Sequence, residues 1–167
     1  MKDSNPYQII VGPASTGKTI LIQLKAYQIL QKDVSAAVLI VLPLDILKVK
    51  YIQFFKHCGL VAINNLFIKT IKDDWKTVMI NHNPHVFIDE FSAVQSMAEH
   101  VLSQVLTLAK TNVYINRMIW LSIDFLQNFD IVTLGLPQVQ DKTFIEKASR
   151  KHLLMVHRCT RIIFQVA

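Results

Sequence analysis

Apolar residues in this chain fall into short blocks, and two spacings alternate along it. "YQIIV" at 7–11, "AAVLIVL" at 36–42, "HVFID" at 85–89 and "RMIWLSID" at 117–124 are strand-length runs rich in Val, Ile and Leu. Continuous runs of this length suit strands buried on both faces, as in a parallel sheet covered by helices. "LVAINNLFI" at 60–68 and "LLMV" at 153–156 read as two further strands. Between the blocks, Lys18–Lys32 carries Ile20, Leu21, Leu24, Tyr27 and Leu30 at helical spacing. "DILKVKYIQFFKH", Asp45–His57, repeats that period and is stopped by Gly59. Helices are also predicted at about 70–80, 92–110 and 143–150, and Pro43, Pro84 and "GLP" at 135–137 punctuate the series. Alternating strand and helix predicts an α/β fold with a mostly parallel sheet flanked by helices. There is no internal repeat and no low-complexity tract.

Composition narrows the class. The 167 residues are 51% hydrophobic, with a mean hydropathy of +0.32, enough for one domain with a sizeable core. No apolar block approaches the roughly 20 residues of a membrane span, so no membrane association is expected. The net charge of +6 permits a polyanionic partner without specifying one, because the basic residues are spread out. Cys58 and Cys159 share no metal-ligand spacing and suit a reducing compartment. The polar start, "MKDSNPYQ", lacks the apolar core of a signal peptide. These features point to an intracellular protein, cytoplasmic or nuclear.

Only four glycines occur, and two of them frame one motif. Gly12-Pro13-Ala14-Ser15-Thr16-Gly17-Lys18-Thr19 fits the phosphate-binding pattern G-x-x-x-x-G-K-[ST] at every position. In such a loop, backbone N–H groups and the positive end of the following helix meet phosphate oxygens. Gly12 and Gly17 let the chain turn and approach closely. Lys18 reaches the β- and γ-phosphates, and the Thr19 hydroxyl ligates Mg²⁺. A predicted strand before the motif and an amphipathic helix after it supply the required context.

A second acidic anchor belongs on a neighbouring strand, and "HVFIDEF" ends in Asp89 and Glu90. A carboxylate buried at a strand end is costly unless it meets a cation. Asp89 is therefore assigned to the Mg²⁺ shell and Glu90 to orienting and deprotonating an attacking water. The absence of an "NKxD" motif and the paired acids favour ATP over GTP. In "IWLSIDFLQNF", Ser122 and Asp124 end a strand that could lie next to the strand before the loop; Asp124 or Gln127 could sense the γ-phosphate, or the strand could simply end in a polar cap.

The order of these motifs resembles the first motor domain of superfamily 1 helicases, and most of all the helicase-like C-terminal region of long Schlafen proteins. The residues that carry the resemblance are "GPASTGKT", "VFIDEF", "IWLSIDFLQNFDIVTLGLP" and "LLMVHRCTRII". Trp120, Asp124, Gln127, Gly135-Leu136-Pro137 and Arg158 fall on family positions in the same order. The resemblance implies a single RecA-like P-loop NTPase domain over residues 1–167 that uses ATP and Mg²⁺, with an activity linked to single-stranded DNA or RNA. It implies Lys18 and Thr19 on phosphate and metal, Asp89 on metal, Glu90 as base, and Gln127 and Arg158 as γ-phosphate sensors. "LPLDILKVK" occupies the place where such helicases touch a nucleic-acid strand, although an ordinary loop and helix start reads equally from its residues. Two departures stand out. "DEF" followed by Ser92 replaces the family's "DEAQ", removing a glutamine that couples water positioning to nucleic acid. A second RecA-like domain is also missing from the 167 residues. The expectation is an ATPase that does not unwind by itself, completed by a second motor domain or protein partner. The alternative is a nucleotide-gated interaction module with little turnover.

Three weaker constellations carry less. His82 with His85, and His157 with Cys159, lack the second pair of a zinc site. Phe54-Phe55 could stack on bases, but its helical spacing in an apolar neighbourhood assigns it to the core.

Overall fold

The computed structural model describes residues 7–11, 15–60, 64–90, 100–101, 103–105, 107–108, 117–123 and 155–158. Six strands form one sheet: β1 (Tyr7–Val11), β2 (Val38–Leu42), β3 (Leu66–Thr70), β4 (His85–Ile88), β5 (Ile119–Ile123) and β6 (Met155–Arg158). Their order is β3-β2-β4-β5-β1-β6, and every neighbouring pair runs parallel. Among the described residues, three helices join β1 to β4 in turn: α1 (Lys18–Lys32), α2 (Asp45–His57) and α3 (Trp75–His82). Residues 100–101, 103–105 and 107–108, within the predicted helix 92–110, are helical too. The fold is α/β with an all-parallel sheet flanked by helices. Among the described residues, no helix is long and apolar enough to cross a membrane.

Alternation along the strands decides which face each side chain serves. Val38, Ile40 and Leu42 of β2, Phe87 of β4, Trp120 of β5 and Ile10 of β1 form one cluster with Ile22, Ala26 and Leu30 of α1 and Tyr51 and Phe55 of α2. Helices α1 and α2 therefore cover the same face. Helix α3, which packs on β2 and β3, returns the chain in the opposite direction, and right-handed crossovers place such a helix on the other face. Phe55 is buried and Phe54 packs edge-on against it at 5.2 Å, so the pair belongs to the core as expected.

Several boundaries differ from the pattern-based expectation, each for a local reason. Strand β2 begins at Val38 and not Ala36, because Asp33 makes a turn there: its Oδ1 accepts from the Ser35 N–H and hydroxyl, and its carbonyl accepts from Ala36 N–H. Strand β3 covers Leu66–Thr70, sharing Leu66–Ile68 with the predicted strand 60–68 and following the turn at Asn64-Asn65. The Asn65 carbonyl accepts from Val38 N–H at 2.8 Å, which sets β3 against β2. Helix α3 starts late, at Trp75, where Asp74 accepts from Thr77 N–H as its cap. Strand β6 ends two residues beyond the predicted strand. The predicted helix at 143–150 and the "GLP" loop lie outside the described residues.

At the amino edge of the sheet, His85 is 8% exposed. Its Nδ1 accepts from Met118 N–H at 3.2 Å, and its Nε2 lies 3.3 Å from an Arg117 nitrogen, joining the starts of β4 and β5. Burial, then the Arg117 charge, pull its pKa down to about 4, with Lys25 adding slightly and Asp33 opposing. A histidine depressed in the folded state stabilises the fold above the unfolded pKa, and that contribution is lost as pH falls from about 6.5 to about 4. Acidification across this window is expected to cost about 3 kcal/mol at this group. Thermal melts at pH 7 and pH 4.5 check it: His85→Gln should lose markedly less stability than wild type over the same interval.

Candidate functional site

In an open parallel sheet, ligands bind outside the carboxyl ends of the strands. Here three of those ends stand side by side. Val11 pairs with Ile123 in register, and Ile88 pairs with Leu121. The loop after β1 and the acids after β4 are thus separated by β5 alone, about 10 Å as two strand spacings.

Of the eight loop residues, Ser15 to Thr19 are described, and Gly12, Pro13 and Ala14 lie outside. Ser15 and Gly17 have positive φ, 61° and 86°, the kind of left-handed backbone from which anion-binding nests are made. A Cβ at Gly17 would meet no described atom within 4 Å, so glycine is required there by the backbone angle and not by crowding. Gly17 is also the N-cap of α1, and a glycine offers no capping side chain. The first turn holds no acidic residue, and the positive end of a helix attracts anions.

The acids occupy two different environments. Asp89 follows Phe87 by two residues and so falls on the face covered by α1 and α2. It is 1% exposed. Its Oδ2 accepts from the Tyr51 hydroxyl at 2.5 Å, while its Oδ1 is buried with no hydrogen-bond partner among the described residues. Glu90 is half-buried with φ at 61°, a backbone state that costs a non-glycine residue about 1–3 kcal/mol and collects at functional sites. That turn brings its Oε1 to the Thr19 hydroxyl, which donates at 3.1 Å. The structure therefore joins Thr19 to Glu90, the expected base, and gives Asp89 a partner that the motifs do not contain.

Tyr51 is that partner. It sits one turn before Phe55 on the buried stripe of α2 and is 1% exposed. Burial, then the charge of Asp89 and the bond to it, push its hydroxyl well above the usual tyrosine range, so it stays a proton donor. A buried tyrosine hydroxyl needs a partner, and this is the signal that could have found it.

The donor set suits a hard divalent cation. Thr19 Oγ1, Asp89 and Glu90 are all oxygen donors. The buried, unpartnered Asp89 Oδ1 is the observation that favours a cation there. Among the described residues, no group of three His, Cys, Asp or Glu side chains forms a protein-only metal cage. Such a cage is not the Mg²⁺ habit, since this ion uses one or two carboxylates plus phosphate oxygens.

The remaining expected residues are placed in part. Asp124 and Gln127 lie outside the described residues. Arg158 ends β6, its backbone in register with Val11 just before the loop. In "LPLDILKVK", Lys48 is bound by Asp73 at 2.6 Å and Asp45 at 3.0 Å. Hydrogen bonds from Lys48 and from Thr70 N–H hold Asp73 down at about 2. The lysine ties α2 to the turn after β3, and what this segment exposes is Leu44, Asp45, Ile46, Val49 and Lys50. No family model matches the chain, and no curated protein matches its sequence.

Proposed function

We propose that this chain is an Mg-ATP-binding P-loop NTPase with a RecA-like fold, akin to the first motor domain of Schlafen-like superfamily 1 ATPases. The observation that carries the reading is the meeting of Thr19 and Glu90 at 3.1 Å from 71 residues apart. That contact puts the residue after the loop lysine against the strand-end acid, at the carboxyl edge of a parallel sheet. The loop backbone and the start of α1 would bind phosphate oxygens, with Lys18 on the β- and γ-phosphates. Thr19 and Asp89 would hold Mg²⁺, which when bound supplies charge to the phosphates. Glu90 would accept the proton of the attacking water, and Lys18 would stabilise charge developing on the transferred phosphoryl group.

The test is phosphate release from ATP with Mg²⁺, with and without single-stranded DNA or RNA, beside Lys18→Ala. Release that depends on Lys18 and rises with nucleic acid is the expected result. Glu90 Oε1 already engaged by Thr19 favours a second reading, a nucleotide-gated module that binds ATP with little turnover. Tight binding without release, unaffected by nucleic acid, would select that reading. No binding of ATP at all would remove both.

A further inference from the structure

We propose that Tyr51 is a positioning residue for the metal site, holding Asp89 so that one carboxylate oxygen is presented to the cation. This rests on the Mg-ATP reading above. Sheet alternation puts Asp89 on the α2 face, and the Tyr51 hydroxyl donates to its Oδ2 at 2.5 Å. The other oxygen, Oδ1, is buried without a partner among the described residues. A carboxylate pinned through one oxygen cannot turn freely about its last torsion, so the second oxygen keeps a fixed direction. Metal-ligating carboxylates are commonly oriented by such a hydrogen bond, and losing it typically costs 10–100-fold in metal affinity.

The anchor is itself held firmly. One turn after Tyr51, Phe55 is buried in the core at 2% exposure. One turn before it, Lys48 bonds to Asp73 at 2.6 Å and fixes the front of α2 to the turn after β3. The ring of Tyr51, 1% exposed, packs in the cluster that includes Phe87 and Trp120. Tyr51 thereby links the "LPLDILKVK" helix to the acid after β4, two segments that the sequence motifs treat as separate.

Tyr51→Phe removes one oxygen and keeps the ring. The probe is Mn²⁺, a hard-oxygen cation followed by electron paramagnetic resonance, titrated with a non-hydrolysable ATP analogue present. The expected result is an Mn²⁺ affinity reduced about 10-fold or more, with analogue binding in EDTA unchanged. In an Asp89→Asn background the same substitution should add no further loss, which a general packing defect would not reproduce. Equal Mn²⁺ affinity in wild type and Tyr51→Phe would overturn the proposal alone. A wild type that binds neither nucleotide nor Mn²⁺ would overturn the functional reading, and this inference with it. A second measurement stands apart from the variant's folding: 3-fluorotyrosine is incorporated at Tyr51, with the other three tyrosines replaced by Phe. The Tyr51 fluorine resonance should move when Mg²⁺ joins the nucleotide complex, and a stationary signal would overturn the proposal.

Discussion

Glu90→Gln is expected to lower ATP turnover by about 100-fold or more while leaving ATP affinity within a few-fold of wild type. The amide oxygen still accepts the Thr19 hydroxyl, which in the parent meets Glu90 Oε1 at 3.1 Å, so the local geometry survives. What disappears is the ability to take a proton, and a positioned general base contributes roughly 10²–10⁴-fold. Phosphate release under saturating Mg-ATP, set beside equilibrium binding, separates the two quantities. Unchanged turnover would mean that Glu90 is not the base. A parallel loss of binding would mean that Glu90 serves the ground state instead.

The second large effect concerns Asp89, and its sign differs between metal-free and metal-loaded protein. Asp89→Asn should weaken Mg²⁺ binding in the nucleotide complex by at least about 100-fold, more than loss of a bond that merely orients a ligand. The metal-free protein, however, should melt no lower than wild type. A carboxylate at 1% exposure with one unpartnered oxygen carries a desolvation penalty of several kcal/mol, which the neutral amide avoids. The amide oxygen can still accept from Tyr51, and the amide nitrogen replaces an atom that has no partner now. Melting curves in EDTA and in Mg-ATP check both halves. A variant destabilised in EDTA would show that the charge of Asp89 serves the metal-free fold and is not held for a cation.

Much of the fold was legible because its central strands are unbroken apolar runs and its helices end at clear stops. Helix α1 occupies Lys18–Lys32 and α2 occupies Asp45–His57, as predicted, and Gly59 takes the left-handed φ of 76° that closes α2. The buried side of α1 was misread: it is Ile22, Gln23, Ala26 and Leu30, whereas Ile20, Leu21 and Leu24 of the predicted stripe are exposed. The predicted strand 60–68 overlaps β3 at Leu66–Ile68, and its start was set too early because the turn at Asn64-Asn65, whose bond to Val38 aligns β3, interrupts the apolar pattern. The site was legible in its parts but not in its pairings. Asp89 could be read as a buried acid at a strand end. Its tie to Tyr51 could not, because the two are 38 residues apart and Tyr51 looks like any aromatic on a buried helical stripe. The Thr19–Glu90 contact depends on the positive φ of Glu90, which no local pattern signals.

The central claim is that the loop ending in Lys18 and Thr19 binds the phosphates of ATP. Calorimetric titration of ATP with Mg²⁺ into wild type and Lys18→Ala tests it most directly. Loss of one charge-assisted contact to phosphate should weaken binding about 10–100-fold. Equal affinity in the two proteins, or no binding by wild type, would contradict the account.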